Sequence, residues 1–278
     1  MEAFSIESDD GSPVIGVLAN PSGECGPQLM TIGAWASEHG LEVVDLGTSA
    51  EPSDVMPECR LVIALGGDGT ILRALQLALA HHAPVLGVNF GHVGFLADTD
   101  GDDLDAALER IGAGLADVDE RTALVAEIGT DDRVQVVAFN DVVVGRRPGF
   151  GTARLRVELG GESTLALNGD GVVVASPTGS TAYTLGAGGP AVAPTLDAIV
   201  LTPLAAQGSP LRSLVLDGGD PVIIDADPLS APLTVEIDGR TVHEMPAPAR
   251  LAIRTAPRKA RLVRTLPRTF LGDLAERL

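Results

Sequence analysis

Apolar residues in the first part of the chain recur in two rhythms. Short apolar runs at 14–19, 60–65 and 85–89, with a further strand at 41–46, have the texture of strands buried inside a parallel sheet. Segments 27–39 and 71–81 carry apolar positions at helical spacing, and Leu104, Ala107, Leu108 and Ile111 form one face of another helix. The alternation predicts a small α/β domain, doubly wound and Rossmann-like, over residues 1–115. Beyond it the rhythm shortens. Runs at 134–144, 155–159, 171–175, 198–202, 214–216, 222–224, 233–237, 251–254 and 260–263 are rich in β-branched residues and separated by Gly, Pro and Asp. They predict an all-β, sandwich-like domain over residues 116–267. The tail, 268–278, is expected to fold back on the first domain.

Composition narrows this picture. A chain of 278 residues can bury two modest cores, and with only 3% aromatics those cores must be built from Val, Leu, Ala and Ile. Asp and Glu number 38 against 19 Lys and Arg, a formal net charge of −19, and Lys259 is the only lysine. Such a chain repels duplex nucleic acid and anionic membranes, so neither is expected as a partner. Acidic, lysine-poor composition is similar to that of proteins from halophilic organisms, and suggests an archaeal source whose concentrated electrolyte shrinks the Debye length to roughly 3 Å. Cys25 and Cys59 are too few for a disulfide framework and are expected as buried thiols. The acidic start lacks a basic n-region, and no apolar run approaches the ~20 residues of a membrane span, so a cytoplasmic location is expected.

Chemistry concentrates in Gly66-Gly67-Asp68-Gly69-Thr70, between an apolar strand and a helix. Ligands of open α/β sheets bind beyond the carboxyl ends of strands, where helix N-termini present free N–H groups to anions. An isolated glycine-rich turn is most often only a turn. Asp68 argues otherwise, because a carboxylate among anion-binding amides is electrostatically awkward unless it binds a metal or takes a proton. It is a candidate general base for an attacking hydroxyl. No lysine follows these glycines, so charge on a transferring phosphoryl group falls to Mg²⁺, backbone amides, the helix dipole and Arg73. Asn140 offers the donor and acceptor needed to read an adenine edge, and Asp141 can accept from ribose hydroxyls, although Asn-Asp is equally common as a plain turn. Thr178, Ser180, Thr181 and Tyr183 gather hydroxyls around a Pro and a Gly, a pattern that also suits a capped helix start. The five histidines show no transition-metal spacing.

The Gly66 to Thr70 loop resembles that of a kinase superfamily containing NAD kinases, diacylglycerol and sphingosine kinases and, more distantly, phosphofructokinases. Three further segments resemble NAD kinases in particular: Leu86-Gly87-Val88-Asn89-Phe90-Gly91-His92-Val93-Gly94-Phe95-Leu96; Phe139-Asn140-Asp141-Val142; and Asp170-Gly171 through Ser176-Pro177-Thr178-Gly179-Ser180-Thr181-Ala182-Tyr183 to Gly188-Gly189-Pro190. Glu236-Ile237-Asp238-Gly239-Arg240 is similar to a later Asp-Gly turn of that family. The resemblance implies Mg²⁺-dependent transfer of a phosphoryl group from ATP or polyphosphate to the 2′-hydroxyl of NAD's adenosine ribose, with Asp68 as base. Gly66, Gly67, Gly69, Thr70 and Arg73 would serve the phosphates and ribose, and Leu72 and Phe95 the adenine. Asn140 and Asp141 would hold the adenosine half, Asp170 the nicotinamide half, and Thr178, Thr181, Ala182, Tyr183 and Gly186 would line the nucleotide segment. Homodimers or homotetramers are implied as well.

The sequence departs from the family where Asp141 stands for Glu, Asn168 for Arg and Gly186 for Ser. The last two changes remove a cation and a hydroxyl. They keep open the reading of a catalytically inactive NAD(P)-binding paralogue; the other alternative, a lipid kinase of the diacylglycerol type, is disfavoured by the acidic composition.

Overall fold

The computed structural model describes residues 2–6, 13–21, 25–50, 56–91, 94–129, 134–161, 163–208, 212–245 and 247–277. His92 and Val93 of the second motif lie outside the described residues. The chain forms two compact units, Met1–Arg121 with Lys259–Leu278, and Thr122–Arg258.

The first unit holds strands β1 (Glu2–Phe4), β2 (Val14–Ala19), β3 (Glu42–Thr48), β4 (Leu61–Leu65), β5 (Pro84–Asn89), β6 (Thr99–Asp100) and β7 (Ala116–Arg121), with helices α1 (Gly26–Glu38), α2 (Asp68–Leu79) and α3 (Leu104–Gly112). β3, β2, β4 and β5 are parallel neighbours in that order. Every residue of β4 and β5 is buried, which is why these strands read as unbroken apolar runs rather than as alternation. α1 opens on Pro27, whose fixed φ suits a first turn, and Gly40 with φ +68° follows its end. The crossover through α1 carries the chain from β2 to one side, and α2 carries it from β4 to the other. The direction of winding therefore reverses between β2 and β4, making their carboxyl ends a topological switch point.

The second unit contains β8 (Leu124–Ile128), β9 (Val134–Ala138), β10 (Asp141–Arg146), β11 (Ala153–Leu159), β12 (Ser163–Gly169), β13 (Gly171–Ala175), a 3-10 turn (Thr178–Thr181), the one-turn helix α4 (Tyr183–Gly186), β14 (Ala198–Leu204), β15 (Leu214–Asp217), β16 (Val222–Ala226), β17 (Leu233–Ile237), β18 (Arg240–Met245) and β19 (Ala249–Thr255). Two six-stranded antiparallel sheets, β15-β14-β13-β10-β17-β18 and β12-β11-β16-β19-β8-β9, share one aliphatic core that includes Val142, Val144, Val172, Val174, Leu251 and Ile253. The run expected at 134–144 is two strands, one in each sheet. The break falls at Phe139-Asn140, where a side chain from a distant hairpin captures the backbone amides.

The chain then returns to the first unit as β20 (Ala260–Arg264) and α5 (Phe270–Arg277). β20 lies between β5, to which it is parallel, and β7, to which it is antiparallel. The units consequently divide at 121/122 and 258/259, not at the 115/116 and 267/268 boundaries expected from the change of rhythm. Periodicity marks a strand but not its partner, and the partners of β7 and β20 lie far away in sequence. Cys25 and Cys59 are free and buried, and burial pushes the Cys59 thiol up to about 11. Among the described residues no helix is long and apolar enough to cross a membrane.

A strand inside a sheet is harder to lose than a terminal helix. Deleting residues 268–278 is expected to lower the melting temperature yet leave cooperative unfolding. Deleting 259–278 is expected to abolish the first unit's transition, as read by calorimetry and near-UV circular dichroism.

Candidate active site

The glycine loop sits at the switch point. The Gly66 amide donates to Val88 O at 2.8 Å, and the Asn20 amide donates to Leu65 O at 2.8 Å, tying the loop to the ends of β2, β4 and β5. Gly66 has φ +155°, and a Cβ there would lie 2.5 Å from Thr70 Oγ1 and 3.0 Å from Asn20 Cβ. This glycine is required by the fold. Gly67 and Gly69 are different: neither has a left-handed φ, and a Cβ at either would enter open space. Gly69 even lies within the first turn of α2, where glycine costs about 1 kcal/mol relative to alanine. Gly67 is the N-cap of α2, where glycine serves better than alanine, but nothing the chain itself does asks for glycine at Gly69, whereas close approach of an external group to the backbone does.

Asp68 begins α2, near the positive end of the helix dipole. Its Oδ2 accepts the Phe95 amide at 2.9 Å and its Oδ1 the Leu96 amide at 3.1 Å. The backbone lies so close that a Cβ at Gly94 would collide with the carboxylate. Each oxygen thus takes one amide and keeps a second lone pair. These bonds answer the electrostatic puzzle posed by the sequence, because the negative charge is balanced by N–H groups from a second segment. Asp68 and Phe95 are half-buried, Gly69 is exposed and Thr70 is buried. Leu72 is buried on the inner side of α2, and Arg73 Nη1 donates to Gln76 Oε1 at 3.0 Å on the same helix. Asn89, at the carboxyl end of β5, is buried with no hydrogen-bond partner for its Nδ2.

In the second unit the Asn140 turn is organised by Asp238. The β17–β18 hairpin closes on Asp238-Gly239 with φ +48° and +77°, the paired left-handed residues of a type I′ turn. From there the Asp238 carboxylate accepts the amides of Phe139, Asn140 and Asp141 at 2.7–3.2 Å, and its own amide donates to Asp141 O. The same turn is stitched to the hydroxyl-rich segment. Ser176 Oγ donates to Phe139 O, the Ser176 amide donates to Asn140 O, and a Cβ on Gly179 would overlap Asn140 O. Thr181 Oγ1 donates to Thr178 O at 3.2 Å, while Thr178 Oγ1 is buried without a partner. Asn140, Asp141, Thr178 and Thr181 are therefore brought together, and Ala182, Tyr183 and Gly186 are exposed beside them. Burial pushes the Asp141 carboxyl up to about 7, helped by the charges of Asp238 and Glu236.

Asp170 is not part of this cluster. It precedes Gly171, which pairs with Gly145, whereas Asp141 pairs with Ala175 at the other end of the same ladder, about 14 Å away at strand rise. Its carboxylate accepts from Arg146 Nε at 2.6 Å. Asn168 lines a separate cavity of about 420 Å³ with Arg154, Arg156, Asp225 and Asp227. Asp238 is the residue whose role was not read from sequence. Its Asp-Gly turn was visible, but the reach of its side chain across ~100 residues was not.

Residues 48–116 match the ATP-NAD kinase N-terminal domain and residues 139–265 the ATP-NAD kinase C-terminal domain. The NAD kinase of Heliobacterium modesticaldum is 34% identical over 281 residues, covering 96% of this chain and 98% of that protein. That of Leifsonia xyli subsp. xyli is 38% identical over 238 residues, covering 84% and 77%. Among solved structures, yeast NADH kinase complexed with NADH superposes with a TM-score of 0.85 at 22% identity, covering 97% of this chain and 88% of that one. An NAD kinase from Archaeoglobus fulgidus in complex with ATP gives 0.74 at 22% identity, covering 94% and 98%. The matches to both kinase domains and to whole-length relatives define a phosphotransferase. The chain belongs to the NAD kinase family, and its activity is that of an NAD kinase.

Two kinds of glycine should behave differently on substitution. Gly66→Ala is expected to cost about 1–3 kcal/mol of stability. Gly69→Ala is expected to leave the melting temperature unchanged or slightly raised, and Gly67→Ala, at the helix N-cap, to cost up to about 1 kcal/mol, while each lowers turnover at least ~10-fold because an external group can no longer approach the backbone. Asp141 predicts a pH signature. Its folded-state value lies above its ordinary 3.8, so its contribution to stability is full below about pH 4 and is lost as pH rises through about 7. The gap in melting temperature between Asp141→Asn and the parent, measured by scanning fluorimetry, is expected to widen in the variant's favour from pH 4 to 7 and level off above.

Proposed function

We propose that the chain transfers the terminal phosphoryl group of ATP, or of polyphosphate, to the 2′-hydroxyl of NAD's adenosine ribose, with Asp68 as general base. Asp68 takes the hydroxyl proton, the ribose oxygen forms a bond to the terminal phosphorus, and the bond to the donor's bridging oxygen breaks as ADP or shortened polyphosphate leaves. The observation that carries this reading is the anchoring of Asp68: two amides fix its orientation while each oxygen retains a free lone pair. Gly66, Gly67, Gly69 and Thr70 offer the donor phosphates a backbone cradle at the helix N-terminus.

Among the described residues no three of His, Cys, Asp or Glu gather as a metal cage. With one carboxylate, Asp68, described at the loop, Mg²⁺ would be held mainly by the donor's own phosphates and would supply neutralisation of their charge. Asn140 and Asp141 read the adenosine, Thr178, Thr181, Ala182, Tyr183 and Gly186 border it, and Asp170 meets the nicotinamide half. The ~14 Å along the ladder between Asp141 and Asp170 suits the opposite halves of a dinucleotide. The net charge of −19 suits work in concentrated salt; by the family resemblance the chain would act in the cytoplasm as a homodimer or homotetramer.

Asp68→Asn is expected to lower kcat by roughly 10²- to 10⁴-fold while KM for NAD stays within about threefold, in a coupled NADP-formation assay in high salt with Mg²⁺ and either donor. Undiminished turnover in a folded variant would refute Asp68 as the base.

A further inference from the structure

The anchoring of Asp68 has a second layer, supplied by the end of the chain. Arg264, the last residue of β20, is only 5% exposed. Its Nη1 donates to Leu96 O and Ala97 O, both at 3.3 Å, its Nη2 to Phe95 O at 3.5 Å and its Nε to Asp119 Oδ2 at 3.3 Å. Arg268 Nη1 adds a bond to Ala97 O at 3.1 Å. Asp98 closes the segment: its amide donates to Gly87 O on β5, and its Oδ2 accepts both the amide and the hydroxyl of Thr265. The carbonyls of residues 95–97 are therefore gripped by Arg264 and Arg268 and the Asp98 carboxylate by Thr265, while the amides of Phe95 and Leu96 grip Asp68.

One peptide group joins the two layers directly. The carbonyl of Phe95 and the amide of Leu96 belong to the same plane, so Arg264 donates to one end of it and Asp68 accepts from the other. A cation on the oxygen polarises the group and strengthens N–H donation to the carboxylate. Arg is the residue for this task, since its planar fork can span several carbonyls and it never deprotonates. Stability alone is a poor reason to keep it there, because a buried ion pair is often no better than an apolar replacement.

We propose that Arg264 is a positioning residue for phosphoryl transfer, holding the carbonyls of residues 95–97 so that the amides of 95 and 96 keep Asp68 oriented. The proposal rests on the reading of Asp68 as base. It assigns the C-terminal segment a part in the chemistry although that segment lies outside every motif of the sequence.

The test measures kcat and KM for NAD on the full chain carrying Arg264→Gln, Arg264→Lys or Arg268→Met, each alone and combined with Asp68→Asn. Arg264→Gln is expected to lower kcat by about 100-fold with KM within about threefold, and Arg264→Lys to fall between it and the parent. In the Asp68→Asn background the same changes should cost less than about threefold, because the group they orient is already disabled. A folded Arg264→Gln variant with parental kcat overturns the proposal. So does an equal loss with and without Asp68→Asn, which would leave the base reading intact. Full turnover of Asp68→Asn alone overturns both. If the Arg264 variants do not fold, Arg268→Met decides: a kcat loss of about 10-fold that vanishes in the Asp68→Asn background supports the proposal, and an unchanged kcat overturns it.

Discussion

The pair of hydrogen bonds from the amides of Phe95 and Leu96 to the carboxylate of Asp68 is the constraint around which the first unit is arranged. A helix N-terminus surrounded by glycines attracts anions, and a carboxylate placed there competes for the same amides. The chain resolves the conflict by bringing N–H groups from a second segment, so that Asp68 does not draw on the loop's own donors. That solution requires residues 94–96 to lie directly on the carboxylate, which Gly94 permits by having no side chain. It also requires their carbonyls to be satisfied elsewhere, as they are by Arg264 and Arg268.

The second unit repeats the principle with different parts. Asp238 collects three consecutive amides at Phe139, Asn140 and Asp141, fixing a turn at which the chain passes from one sheet to the other. Acidic side chains thus act in both units as anchors for irregular backbone. The consequence in the second unit is electrical: with Asp238 and Glu236 close by, buried Asp141 retains its proton to about pH 7. An Asp at this position, where the resembled family carries Glu, can donate as well as accept near neutrality.

Much of this was legible in the sequence. The apolar run 61–65 followed by Gly66-Gly67-Asp68-Gly69-Thr70 announced a buried parallel strand, a tight loop and a helix start, because each depends on local rules of burial, φ and capping. The β-branched texture beyond residue 134 announced an all-β, sandwich-like domain for the same reason. Less legible was the run 134–144, whose uniform hydrophobicity concealed a change of sheet. The distinction between Gly66 and its neighbours Gly67 and Gly69 was hidden too, since only coordinates show which would collide with Thr70 and which face open space.

The sequence by itself determined the elements and the chemical cast: a carboxylate among glycines, an Asn-Asp pair, a hydroxyl-rich turn, and enough resemblance to name a reaction. Tertiary structure decided who holds whom. That Asp68 is restrained from residues 95–96, that Asp238 reaches back to Asn140, and that β20 enters the first sheet between β5 and β7 are all contacts between residues far apart in the chain. Local propensity and periodicity act over one or two turns of backbone. Pairing across a hundred residues is fixed only when buried polar groups must each find a partner.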